Sequence, residues 1–159
     1  MVADSATSAL ERFLEGHSDD LTVIGRSGRT WDVLVPSYWK ETVAVSIALG
    51  DRSLRCDCFF MLAPEENAEQ VYKTLLRRNE RSHVWKFVAS AEGDVGLLAE
   101  LPAAAVTEEE LELLFGTLVT LVDDTYVPYM KLGFATSLAE QVRKGGPGLD
   151  RPPPWVKEP

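Results

Sequence analysis

A chain of 159 residues, 45% hydrophobic and 26% charged, is the length of one domain and holds enough apolar material for its own core. Sixteen basic residues against 25 acidic leave a net charge of −9, which argues against a nucleic-acid partner, because phosphate recognition rests on a concentrated basic face. No apolar run approaches the roughly 20 residues that span a bilayer, and Met1 to Leu14 lack a signal layout, so a cytoplasmic protein that does not enter the membrane is expected.

Asp4 or Ser5 is placed to cap a first helix with Ala6, Leu10, Phe13 and Leu14 on one side and Gly16 as its stop. Leu21 to Arg26 and Arg29 to Val35 read as strands joined at Ser27-Gly28, with Pro36 ending the second. Ser37 to Lys40 then makes a connection carrying the rings of Tyr38 and Trp39. Thr42 to Leu49 alternates, setting Val43, Val45, Ile47 and Leu49 on one face. After Gly50-Asp51, Ser53 to Leu62 returns as the partner strand. Strict alternation there sets Leu54, Cys56, Cys58, Phe60 and Leu62 on the core face and Arg55, Asp57, Phe59 and Met61 on the other.

Pro64, Glu65 and Glu66 resemble the opening of a second helix, with Ala68, Val71, Tyr72, Leu75 and Leu76 inward and an end near Asn79. Arg77, Arg78 and Arg81 suit the negative end of that helix dipole. Val84 to Ala89 and Val95 to Leu101 form a hairpin across Glu92-Gly93-Asp94, with Trp85, Phe87, Val95, Leu97 and Leu101 as core and Val88 and Leu98 opposite. Thr107 with Glu110 is a capping box, Val106 and Leu111 a hydrophobic staple. Behind them Leu111, Leu114, Phe115, Leu118, Leu121, Val122 and Thr125 share one helical face. Pro128 is expected to kink this helix or stop it near Tyr126. Residues 1–142 thus read as one domain, and residues 143–159 as a Gly/Pro-rich tail in which Pro152 to Trp155 has polyproline character.

The inventory for catalysis is thin. His17 lies at a helix stop and His83 between elements, while the spacing of Cys56 and Cys58 is not that of a zinc pair. Both thiols read as reduced, inert core residues. Asp123 and Asp124 diverge on their helix and read as solvated acids. Neither catalytic residues nor a cofactor is expected. What stands out is apolar side chains on the second sheet face: Phe59, Met61, Val88 and Leu98, with Tyr38 and Trp39 nearby. Such a face is covered by a helix of the same chain, covered by a second subunit, or open to a peptide. Trp155 joins this group if the tail straps across such a groove.

Leu75-Leu76, Asn79, the turn at Glu92-Gly93-Asp94, Leu101-Pro102 and the run Val106 to Leu111 together resemble the pattern of YbjN-domain proteins and type III secretion chaperones, over about Glu66 to Tyr129. The resemblance implies an α+β domain in the order αββββαββα, one antiparallel sheet of about six strands packed against helices in two layers. It also implies a non-catalytic, chaperone-like or regulatory protein- or peptide-binding module acting as a homodimer, and it carries over no catalytic residue. Two departures are visible: four strands precede the second helix where the secretion chaperones have three, and the proline-rich tail lies outside their pattern. The rival readings are a structural subunit of a fixed heteromer, and a small-ligand sensor with its pocket between the long helix and the sheet.

Overall fold

The computed structural model describes residues 2–146, 148 and 149. Helix α1 (Val2–Gly16) is followed by strands β1 (Thr22–Ser27), β2 (Thr30–Ser37), β3 (Glu41–Leu49) and β4 (Ser53–Met61), then α2 (Ala68–Arg81), β5 (Lys86–Ala89), β6 (Val95–Pro102), a 3-10 turn over Ala103–Ala105, α3 (Glu108–Gly133) and α4 (Ala135–Arg143). The strands form one antiparallel sheet in the order β1-β2-β3-β4-β6-β5. This is the two-layer α+β architecture expected, with α4 as an additional helix.

The alternating residues of β2, β3, β4 and β6 bury Trp31, Val33, Val35, Val43, Val45, Ile47, Leu54, Cys56, Cys58, Val95 and Leu97 against the helices. Their period of two meets the 3.6-residue stripe of α3, whose Leu111, Leu114, Phe115, Leu118, Leu121, Val122 and Thr125 are all buried. Helix α1 lies beside α3 on this face, where the Phe13 and Phe115 rings stack at 5.4 Å. Helix α2 packs on β5 and α3. Thr107 caps α3 through its side-chain oxygen, which accepts from the Glu110 amide at 3.1 Å.

Several local expectations yield to longer-range contacts. Met61, placed on the wet face by strict alternation, is only 2% exposed, and Leu62 is exposed instead. The ladder with β6 slips between Phe59 and Met61, so Phe60 and Met61 are both buried and a bulge turns the alternation over. Helix α2 starts at Ala68 rather than Pro64, and Leu76 and Ala68 face solvent. The stretch ahead of it serves another element. The Glu65 and Glu66 amides donate to Gly133 O at 3.0 and 3.1 Å, the Glu66 carboxylate accepts from the Thr136 amide at 2.6 Å, and the Ser137 hydroxyl donates to Glu65 at 2.6 Å. The acids expected at the α2 N-terminus thus hold the first turn of α4.

Of the two outcomes expected at Pro128, the stop near Tyr126 does not occur: Pro128 lies inside α3, which runs on to Gly133. An interior proline costs a helix about 3 kcal/mol, and this segment carries compensating contacts. Tyr129 is buried against the Phe60 and Phe87 rings, and Gly133 packs on Pro64 and Val71 so closely that a Cβ there would lie 3.2 Å from the Pro64 ring. Pro36 does not end β2, which continues to Ser37. Pairing with β1 ends at Leu34, and beyond it a residue without an amide hydrogen is tolerated. Helix α1 begins at Val2, ahead of both candidate caps. Asp123 is not simply solvated: its Oδ1 accepts from the Ser37 hydroxyl at 2.8 Å and the Tyr38 amide at 3.0 Å, fastening the β2–β3 turn to α3.

Candidate functional site

The helices occupy one side of the sheet, and among the described residues the other side carries no helix. A transverse apolar row crosses that outer face. Register pairs Leu34 with Ala44, and Phe59 with Gly96, which in turn pairs with Val88. One step beyond the Val45–Cys58 pair, Ala44 falls beside Phe59. Phe59 is 52% and Val88 42% exposed, and Leu98 sits diagonally from both, half-buried in the next row. Gly96 leaves a dip between the two large side chains: a Cβ there would lie 3.0 Å from the Cys58 carbonyl oxygen and 3.7 Å from the Val88 methyl. Ser46, Asp57, Lys86, Arg55 and Glu100 border the row on one side.

Phe59, Val88 and Leu98 are therefore brought together as expected, and Met61 is withdrawn into the core. Trp39 lies half-buried on the β2–β3 turn, edge-on to Tyr38 at 5.1 Å. The turn meets the apolar row through Lys40, whose ammonium lies 5.1 Å from the Phe59 ring centre and 5.0 Å from that of Tyr126, and donates to the Phe60 carbonyl. Burial lowers the Lys40 pKa, opposed by attraction toward Cys58. Trp155 lies outside the described residues. Sequence reasoning missed Lys40, Leu34, Ala44 and Gly96. A glycine inside a strand was the one available signal, since it marks a place where something approaches the backbone closely.

The two edges of the sheet differ. At β5 the Asn79 side chain accepts from the Phe87 amide at 2.7 Å and donates to the Phe87 carbonyl at 3.0 Å, so the outward pair of that residue is occupied. Removing it by Asn79→Ala leaves both groups unpaired, with an expected loss of about 1–3 kcal/mol and self-association through β5. Urea unfolding and light scattering read the two effects, and an equally stable, equally dispersed variant would contradict them. The β1 edge instead shows exposed Val23 and Ile24 beside a register slip.

Potential reactive groups are quiet. Cys56 and Cys58 are free thiols in the core, and burial pushes both up to about 12, where they stay protonated at neutral pH. The His17 ring nitrogen lies 2.9 Å from the Phe13 carbonyl at the end of α1. Among the described residues no cluster of three or more His, Cys, Asp or Glu side chains is placed to hold a metal. Nor is any described helix long and apolar enough to cross a membrane. A groove of about 820 Å³ between α2 and α3 is lined by Arg78, Arg81, His83, Glu109, Glu112 and Leu113.

One antiparallel sheet with its helices on a single side is the secretion-chaperone type of α+β fold. It is similar to the Yersinia pestis type III secretion chaperone SycH, solved in complex with a stable fragment of YscM2, with a TM-score of 0.53 and 16% identity over 74% of this chain and 96% of that one. The chain belongs to the YbjN family, described as "Putative bacterial sensory transduction regulator", whose pattern matches residues 7–127. Uncharacterised proteins of Mycobacterium tuberculosis and Mycobacterium bovis are each 29% identical over 109 residues, 69% of this chain. One from Mycobacterium leprae is 27% identical over 95 residues, 60% of this chain and 52% of its own length. The chain spans 60% of the length of the first two relatives.

Proposed function

We propose that this chain is a non-catalytic binding module of the cytoplasm that holds an apolar segment of a protein partner against the outer face of its sheet. The carrying observation is the row Leu34, Ala44, Phe59, Gly96 and Val88, with Phe59 half-exposed on a face no described helix covers. A segment laid across it would bury Phe59 and Val88 on either side of the Gly96 dip, while Asp57, Lys86 and Glu100 give the rim polar contacts that fix orientation. The open β1 edge offers main-chain pairing to the same segment or another, whereas Asn79 withholds β5 from that role.

Phe59→Asp is the direct test. The side chain is only half-buried, so folding stability is expected to fall by about 1 kcal/mol, whereas an apolar fluorescent probe or a captured partner should lose at least about 2 kcal/mol of binding. A native chain that takes up no probe, or a Phe59→Asp variant that retains full binding, would remove the proposal.

A second copy of the chain is proposed as one further partner. Leu113 stands exposed on α3 and lines, with Gly116, a groove to which α2 contributes Arg78 and Arg81 and α3 contributes Glu109 and Glu112. A two-fold contact would set each basic side against the other's acidic side. Leu113→Asp should then convert a dimer to a monomer in light scattering. A native chain that is monomeric at every concentration would sink the dimer and leave the sheet-face reading standing.

A further inference from the structure

Lys40 closes the β2–β3 turn, and the backbone there is fixed from two sides. Its amide donates to Ser37 Oγ at 3.3 Å, and the Ser37 hydroxyl is itself fastened to Asp123 of α3 at 2.8 Å. Next in the chain, Glu41 stands in the left-handed region at φ 63°, and the Thr42 amide turns back to donate to the Lys40 carbonyl at 2.7 Å. A glutamate in that region is strained, and such strain persists only where the surroundings enforce it. The root of the lysine side chain is thus held in one place.

The side chain ends where the sheet opens. The β3–β4 ladder runs from Leu49–Leu54 to Val45–Cys58, and Glu41 to Ala44 pair with β2 instead. Just past the last of those pairs the Lys40 ammonium donates to Phe60 O and lies 5.1 Å from the Phe59 ring centre, 5.7 Å from that of Phe60 and 5.0 Å from that of Tyr126. Phe59 belongs to the outer face, whereas Phe60 and Tyr126 belong to the helix side, so the charge is lodged at the edge of the apolar row. An ammonium has three N–H donors. Among the described residues the Phe60 carbonyl is the one acceptor it meets, and no carboxylate pairs with it. Removing a charge from water without a counter-charge is costly, and ring faces offset only part of that cost.

The other cations of this face are engaged. The Lys86 ammonium donates to the Asn79 carbonyl at 2.8 Å and the Ser82 carbonyl at 2.5 Å, and Arg55 stands opposite Glu100 in the β4–β6 ladder. We propose that Lys40 is a specificity-determining residue of the outer face: the partner segment that covers Phe59 carries an aspartate or glutamate beside its large apolar residue, and that carboxylate pairs with the Lys40 ammonium. The inference rests on the sheet-face reading and adds the charge of the partner to it. A lysine or arginine at the same point of a segment would meet a like charge held in a poorly solvated site, which turns such segments away.

Two dyes with the same aromatic body test it, the neutral phenylnaphthylamine and the anionic anilinonaphthalene sulfonate, whose sulfonate stands in for the carboxylate. Lys40→Met should lower the ratio of sulfonate to neutral affinity by about fivefold or more while leaving the neutral dye within about twofold, and Lys40→Arg should keep the native ratio. An unchanged ratio in Lys40→Met would overturn the inference and leave the sheet-face reading standing. Equal weakening of both dyes in that variant would overturn it as well, because the lysine would then serve solely to hold the turn. So would a Lys40-dependent preference that survives Phe59→Asp, which would seat the anion away from the row. If neither dye binds the native chain, the sheet-face reading falls and this inference with it.

Discussion

Trp85→Ala is expected to cost about 3–5 kcal/mol of folding stability, a large share of what a domain of this size possesses. Trp85 lies just ahead of β5 and is fully buried. Its indole Nε1 donates to the Leu114 carbonyl of α3 at 2.8 Å, while its own carbonyl accepts from the Ser82 hydroxyl at the end of α2. The Trp85 side chain therefore joins the sheet edge to α3, and its backbone carbonyl joins it to the end of α2. Truncation opens a cavity and also removes a donor from a buried acceptor, and the two costs add. Trp85→Phe separates them: it keeps most of the ring volume and should lose only about 1–2 kcal/mol. Urea unfolding with an unchanged m-value reads both variants, and a midpoint for Trp85→Ala close to the native one would contradict the assignment.

The second large effect is a loss of stability in alkali. Burial raises Cys56 and Cys58 from an ordinary 9.0 to about 12, so between those values the folded chain keeps protons that the unfolded chain releases. The unfolded state therefore binds fewer protons, and stability falls as pH rises from about 9 to 12, each thiol contributing a slope of about 1.4 kcal/mol per pH unit. Tyr126 and Tyr129, also raised by burial from 10.0, act in the same direction. Lys40 acts in the opposite one. Its pKa is lowered from 10.5, so its contribution to stability grows with pH until 10.5 and is constant above it. The steepest loss is thus expected between pH 10.5 and 12. A variant with Cys56→Ala and Cys58→Ala begins less stable but should show a distinctly flatter slope from pH 9 upward in urea titrations. An identical slope would mean that the thiols are not held neutral by the fold.

Much of the architecture follows from interactions that span only a few residues. The Thr107 cap, the apolar stripe of α3 and the alternation of β3 can be read locally because their causes are local: a side chain reaching an amide three residues on, or neighbours recurring at a fixed period. The outer-face trio Phe59, Val88 and Leu98 was legible for the same reason.

What tertiary structure decided lies where two distant segments compete for the same groups. The bulge that buries Met61 depends on where β4 slips against β6, about 35 residues later, and a one-residue slip exchanges the two faces. Glu65 and Glu66 looked like acids of their own helix until α4, some 70 residues on, supplied better-placed donors. Pro128 remains helical because the buried Tyr129 and the contacts of Gly133 hold the turns that follow it. Local propensities are worth tenths of a kcal/mol to a few kcal/mol, and a handful of packed contacts from elsewhere in the chain outweighs them.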